Sequence, residues 1–251
     1  MYCGKRLAVV VPCYNAAGHV GQVVATMPEV VDDIIVVDDG STDDSASRAR
    51  DAGDHRVRVL AHGTNMGVGA ALVTGYTAAL RSGADLVAVM AGDGQMDPAD
   101  LSILLDTWRE TGADYVKGDR FRHPDIFRTM PLSRLLGSVA LSLATRAVSG
   151  YWSLFDSQCG YTLATRAGLE SLNIDTLWTG YGYPNDILTR AHIRGLRLAQ
   201  APVRPVYHPG HTRMRMGRIL KIFPPLLVRL ALARAAAEGP RVLRFRGGDR
   251  A

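Results

Sequence analysis

At 251 residues, 47% hydrophobic and 21% charged, the chain has room for one α/β domain with a large core and an appendage, which excludes a disordered or fibrous protein. The net charge of +5 is unevenly placed: residues 201–251 hold 11 Lys and Arg against Glu238 and Asp249, a balance of +9, while the first 200 hold 18 basic and 22 acidic residues. Such a basic end suits anionic lipid or a phosphate-bearing substrate, and nucleic acid is disfavoured because neither a binding module nor an aromatic stripe accompanies it.

In chain order, strand and helix patterns alternate through the first half. "RLAVVVP" reads as a strand and 16–27 as a helix, "DDIIVVDDG" as a strand and 44–52 as a helix. "HRVRVLAH" and "ADLVAVMAG" are the next strands, followed by helices over 67–81 and 98–110. No long apolar run follows Lys5 and Arg6, so no secretory leader is expected. Alternation of this kind predicts βαβ units, hence a mostly parallel sheet with helices on both faces and ligands outside the carboxyl ends of its strands. Polar residues gather at those ends: Tyr14 and Asn15, Asp38 and Asp39, Asn65, then Asp93 and Gln95.

The second half is less regular. "DYVKGDRF" reads as a strand and turn, 131–149 as an apolar helix or helix pair, and "FDSQCGYTLATR" as a short strand entering a helix. "YGYPNDILTRAHIRG" is a turn and a helix capped by Gly195, and "LRLAQAPVRPVYH" a last strand. The final basic segment has apolar faces interrupted by Lys221, the Pro224–Pro225 pair, Arg229 and Arg234, and is too short in its apolar runs to span a bilayer. Its pattern fits either an interfacial amphipathic helix or one packed on the body. Cys3, Cys13 and Cys159, odd in number and scattered, fit no zinc pattern and point to a reducing compartment.

Each motif has a plain reading beside the functional one. In "VVDDGSTDDS", Ser41, Thr42 or Asp43 would cap the next helix, but capping does not require the pair Asp38 and Asp39, which we expect to face a ligand. In "NMGVGAALVTG", the glycines Gly67, Gly69 and Gly75 fit a phosphate-cradling helix start or close helix–sheet packing equally well. They form neither a dinucleotide fingerprint nor a P-loop. Asp93 and Gln95 are oxygen donors of the kind that Mg²⁺ or Mn²⁺ accepts when phosphates complete its shell. His62, His123, His192, His208 and His211 have no sequence partners, and a structural place is the simpler reading for each.

Taken together, "VVVPCYNA", "IIVVDDGSTDDS", "NMGVGAAL", "DGQMDP", "FDSQCGYTL" and "HPGHTRMR" occur in the order and spacing of the family 2 glycosyltransferases, which have the GT-A fold. The later motifs look most like those of the polyprenyl-phosphate (dolichol-phosphate) mannose synthase branch. The resemblance implies an inverting transfer of a hexose, mannose or glucose, from a nucleotide sugar to a polyprenyl phosphate, by a peripheral enzyme at the cytoplasmic face of a membrane. It implies a catalytic domain over 1–216 and a basic amphipathic segment over 217–251. It implies that Pro12, Tyr14 and Asn15 border the base, that Asp38 and Asp39 meet the donor, and that Asn65 and Gly69 shape the wall beneath ribose and pyrophosphate. Asp93 and Gln95 take the metal and diphosphate, Arg120 acts near the reacting centre, Arg134 and Arg213 hold an acceptor phosphate, and Asp186 is the general base.

Two positions depart from that pattern: Ala91 stands where an Asp usually precedes Asp93, and Asn185 replaces the acid before Asp186. The first removes one contact to metal or ribose. It leaves open the same fold acting on a hydroxyl or amine acceptor, or binding a nucleotide sugar without turnover.

Overall fold

In the computed structural model the described residues are 1–207 and 216–246, with the side chains of all but 133, 216–220 and 240–246. The apolar runs become the strands β1 (Leu7–Cys13), β2 (Asp33–Asp38), β3 (Val57–Ala61), β4 (Leu86–Val89), β5 (Tyr115–Asp119), β6 (Thr162–Thr165) and β7 (Leu198–Pro202). Between and after them lie α1 (Val20–Ala25), α2 (Ser45–Arg50), α3 (Val68–Arg81), α4 (Leu101–Thr111), α5 (Ile126–Thr129), α6 (Leu132–Ser149), α7 (Arg166–Ser171), α8 (Tyr183–Ile193) and α9 (Met216–Arg246). The region over 131–149 is thus one helix after a short turn, and α9 continues through Pro224 and Pro225.

The strands form one sheet in the order β3-β2-β1-β4-β6-β5-β7. β1, β2, β3 and β4 are parallel, as are β5 and β7, while β6 runs antiparallel to both β4 and β5. The inversion of β6 has a tertiary cause. α6 packs against α8 and α9 rather than along the sheet, so the chain is not carried back to the amino ends and re-enters in the opposite sense.

Strand alternation divides the core into two layers. Leu7, Val9, Val11, Ile34 and Val36 pack with Leu101 and Leu104 of α4 on one face. Ala8, Val10, Ile35 and Val37 pack with Leu72 and Tyr76 of α3 and Ile187 of α8 on the other. Because β1 sits between β2 and β4, the order of addition reverses there, and this switch point opens a crevice at the carboxyl ends.

Candidate active site

A cavity of about 460 Å³ occupies that crevice. β1 leads into Pro12, Tyr14 and Asn15, β2 into Asp39, the loop after β3 supplies Asn65 and Gly67, and β4 leads into Ala91, Asp93 and Gln95. Arg134, in the first turn of α6, and the Gly180–Tyr181 loop before α8 complete the wall. Cys13 also lines it, but burial pushes its thiol up to about 11, so it is no nucleophile at neutral pH.

The adjacent acids after β2 are divided in role. Asp38 accepts from the Ser41 hydroxyl and, at 3.3 Å, from Ser41 N–H, so it closes the turn and does not line the cavity, contrary to the expectation of a paired ligand contact. Asp39 does line it. Its Oδ1 accepts from Met66 N–H at 2.9 Å and stands 2.8 Å from His62 Nδ1, and its Oδ2 accepts from Gly67 N–H at 2.8 Å. His62 Nε2 in turn meets Thr74 Oγ1 at 2.9 Å, which gives His62 the structural place expected of it. With its backbone donors fixed, Asp39 is a pre-aimed acceptor on the cavity wall. Asn15, at φ +49°, uses Oδ1 to accept from Thr42 N–H at 2.8 Å and so joins the β1 and β2 loops.

The glycines resolve toward close packing. A Cβ on Gly75 would lie 2.2 Å from Val10 of β1. One on Gly69 would lie 1.9 Å from the Trp178 carbonyl oxygen, and Gly69 N–H donates to Thr179 O at 2.7 Å. Gly69, expected to shape the wall, does not itself line the cavity. It seats the 178–181 loop, which then brings Gly180 and Tyr181 to the wall.

At the end of β4, Asp93 Oδ1 accepts from Gln95 N–H at 3.0 Å, folding the turn so that both side chains face the cavity beside the methyl of Ala91. Among the described residues no group of three His, Cys, Asp or Glu is placed to hold a metal. A carboxylate and an amide oxygen are hard donors, and an incomplete pair fits Mg²⁺ or Mn²⁺ only where a diphosphate supplies the remaining oxygens. Arg134 Nη2 comes within 3.4 Å of Gln95 Oε1, and its guanidinium stacks 4.5 Å from the ring centroid of Tyr207. Burial lowers the Arg134 pKa, with Tyr207 and Asp93 acting the other way.

Two expected catalytic residues are engaged elsewhere. Arg120 donates through Nε and Nη2 to the two oxygens of Asp156 at 2.6 and 3.0 Å, and does not line the cavity. Burial opposes charge on both partners, but their mutual attraction holds Asp156 below the usual carboxylate range. Lys117, fully buried, donates to the Cys159 carbonyl and is pushed down by burial. Asp119 is pushed up by burial and then by Asp156, and its Oδ2 is the one buried side-chain oxygen or nitrogen without a partner among the described residues. Asp186, expected as the general base, accepts from Trp178 N–H at 2.8 Å and bridges to Arg190 Nε at 2.8 Å, and it does not line the cavity. Arg213, His208 and His211 lie outside the described residues.

Asp156 and Tyr207 are the residues that sequence reasoning missed. Asp156 sits in a loop without periodicity, and its signal is visible only once β5 and that loop are adjacent. Tyr207 follows β7 in a stretch read as strand.

The family model for glycosyl transferase family 2 matches residues 8–172. The UDP-N-acetylglucosamine–dolichyl-phosphate N-acetylglucosaminyltransferase of Methanococcus voltae is 28% identical over 218 residues, covering 81% of this chain and 86% of that protein. The polyprenol monophosphomannose synthase of Mycolicibacterium smegmatis is 31% identical over 207 residues, covering 79% and 77%. Among solved structures, the glucosyl-3-phosphoglycerate synthase of Mycobacterium tuberculosis, with Mn²⁺, UDP and glucosyl-3-phosphoglycerate, superposes with a TM-score of 0.69 at 24% identity over 93% of this chain and 81% of that one. That last likeness is one of fold.

Proposed function

The chain belongs to the family 2 glycosyltransferases, and from that membership we propose that it transfers a hexose, mannose or glucose, from a nucleoside-diphosphate sugar to a polyprenyl phosphate at the cytoplasmic face of a membrane. One observation carries the choice of acceptor. The cavity wall beside Asp93 and Gln95 carries the cation Arg134, whereas the carboxylate that a hydroxyl acceptor would need, Asp186, is bridged to Arg190. A phosphate is already an anion and requires little deprotonation, so a cation to hold it matters more than a base.

Asp39 accepts hydrogen bonds from the base or ribose of the donor, and Tyr14 and Asn15 border it. Asp93 and Gln95 would hold Mg²⁺ or Mn²⁺ together with the donor diphosphate, and the ion would offset the charge that grows on the leaving group. Arg134 orients the acceptor phosphate for attack on the opposite face of the sugar carbon, giving inversion.

The test is a panel of UDP- and GDP-sugars with short polyprenyl phosphates and Mn²⁺, read by mass spectrometry. We expect one donor to give a polyprenyl-phosphate hexose. Arg134→Ala should lose a charge-assisted contact worth about 1.5–3 kcal/mol, roughly 10- to 150-fold in turnover. Asp186→Asn, once shown to fold, should retain most activity. Glycosylation of a hydroxyl compound instead, abolished by Asp186→Asn and indifferent to Arg134→Ala, would overturn the lipid-phosphate reading.

A further inference from the structure

β2 and β3 end side by side, with Asp38 and Ala61 paired in register, so the next residues, Asp39 and His62, meet just beyond the sheet. His62 N–H donates to Asp38 O and Asp39 N–H to Cys13 O, both at 2.8 Å, which ties both residues to the strand ends. An ionised carboxylate only accepts, so His62 carries its ring proton on Nδ1 and donates it to Asp39 Oδ1 at 2.8 Å. His62 Nε2, left without a proton, accepts from the Thr74 hydroxyl of α3 at 2.9 Å. The imidazole is thus held at both nitrogens, and in turn it fixes the rotation of the Asp39 carboxylate.

The bonds that Asp39 already accepts leave a defined remainder. Oδ1 accepts from Met66 N–H as well as from His62, so both of its in-plane positions are filled. Oδ2 accepts only from Gly67 N–H at 2.8 Å, so a ligand is left a single acceptor position, on Oδ2. Asp39 lines the cavity although only 3% of it is exposed, so that position serves a bound molecule rather than bulk water. Because β1 lies between β2 and β4, Asp39 stands about 10 Å, or two strand spacings, from Asp93 and Gln95. A nucleoside diphosphate held by its phosphates at the end of β4 reaches that far with the edge of its base, and its ribose falls between.

The bases differ in what they offer such an acceptor. Guanine presents paired donors, N1–H and the 2-amino group, and engages a carboxylate fully only when both oxygens are open. Adenine and cytosine present an amino group beside an unprotonated ring nitrogen, whose lone pair would face the negative charge. Uracil presents one donor, N3–H. We propose that His62, held by Thr74, is a specificity-determining positioning residue that withholds one oxygen of Asp39 and leaves the other to a single N–H, so that the donor is a uridine diphosphate sugar. His62 does not line the cavity and acts through Asp39. The inference rests on the placement of the donor given above and is independent of the acceptor.

Calorimetry in the presence of Mn²⁺ compares UDP, GDP, ADP, CDP and N3-methyl-UDP on the full chain and on His62→Ala and His62→Asn. We expect UDP to bind at least about tenfold more tightly than the other four, since each of those leaves a donor or a buried oxygen unmatched. In His62→Ala the carboxylate is free to turn Oδ1 toward the ligand, so UDP should weaken while GDP does not, bringing the two within about threefold of each other. His62→Asn, whose amide nitrogen takes the place of Nδ1, should restore the preference. A merely structural loss would weaken both nucleotides alike. GDP bound as tightly as UDP by the wild type, undiminished binding of N3-methyl-UDP, or an unmoved ratio in His62→Ala would each overturn the proposal. The N3-methyl comparison decides it even where a variant fails to fold. A uridine preference without transfer to polyprenyl phosphate would support this proposal and sink the acceptor reading alone. Binding of no nucleotide would sink the donor site and this proposal with it.

Discussion

Arg134 owes its place on the cavity wall to a chain of contacts that begins well below it. Its guanidinium rests on the ring of Tyr207, whose hydroxyl accepts from Arg120 Nη1 at 3.2 Å, and Arg120 is clamped by fully buried Asp156. The buried pair Arg120–Asp156 is costly to desolvate and its breakage would cost about 3–5 kcal/mol, so its use lies in holding geometry. Tyr207 is accordingly a positioning residue. A cation–π contact of this kind contributes about 0.5–2 kcal/mol. Tyr207→Leu should therefore lower kcat for the proposed transfer about 2- to 30-fold with little change in donor KM, while Tyr207→Phe, which keeps the ring, should recover most of the loss. Steady-state kinetics decide the matter. A Phe variant as impaired as the Leu variant would place the effect in the hydroxyl and its bond to Arg120 instead.

Among the elements, the loop between the 3-10 turn at Ile174–Thr176 and α8 is held against the start of α3 because Gly67 and Gly69 have no side chains. Gly67 adopts φ +97°, and a Cβ there would lie 2.5 Å from Thr179 O. Gly69→Ala should force the loop away at a cost of about 1–3 kcal/mol, which in a chain of this length lowers Tm by about 2–12 °C. Nucleotide affinity by calorimetry should fall with it, since Gly180 and Tyr181 line the cavity. A Gly69→Ala variant with wild-type Tm and affinity would remove the loop from the site. The same elements show what the sequence alone can carry. The alternating strand and helix periods, and the polar residues at strand ends, were legible because both are local. The antiparallel sense of β6 was not, since it depends on α6 leaving the sheet for α8 and α9. Nor were the fates of Asp38, Gly69, Arg120 and Asp186: residue type marks what a side chain is able to do, and only its neighbours decide whether Ser41, the 178–181 loop, Asp156 or Arg190 has already engaged it.

For the molecule as a whole, the position of α9 matters most, because its basic sequence invites the view of a detachable tail. Phe223, Leu226 and Leu230 are buried, and a Cβ on Gly182 would fall 2.1 Å from Leu226, so α9 is pressed onto the N-terminus of α8. Arg234 Nη1 donates to Ala147 O near the end of α6 at 3.0 Å, and Glu238 meets His192 of α8 at 3.1 Å. Burial of those three apolar side chains contributes on the order of 5–9 kcal/mol at most, comparable with the whole stability of an ordinary domain. We therefore propose that α9 is part of the folded unit and holds α6 and α8 together with the cavity wall they carry. Deleting residues 217–251 should lower Tm by more than about 10 °C, or leave the protein insoluble, and should abolish nucleotide binding by disordering Arg134 and the 178–181 loop. Calorimetry on the shortened chain measures both. Unchanged Tm together with unchanged nucleotide affinity would mean that the body stands without α9, and that the helix serves only to reach a surface.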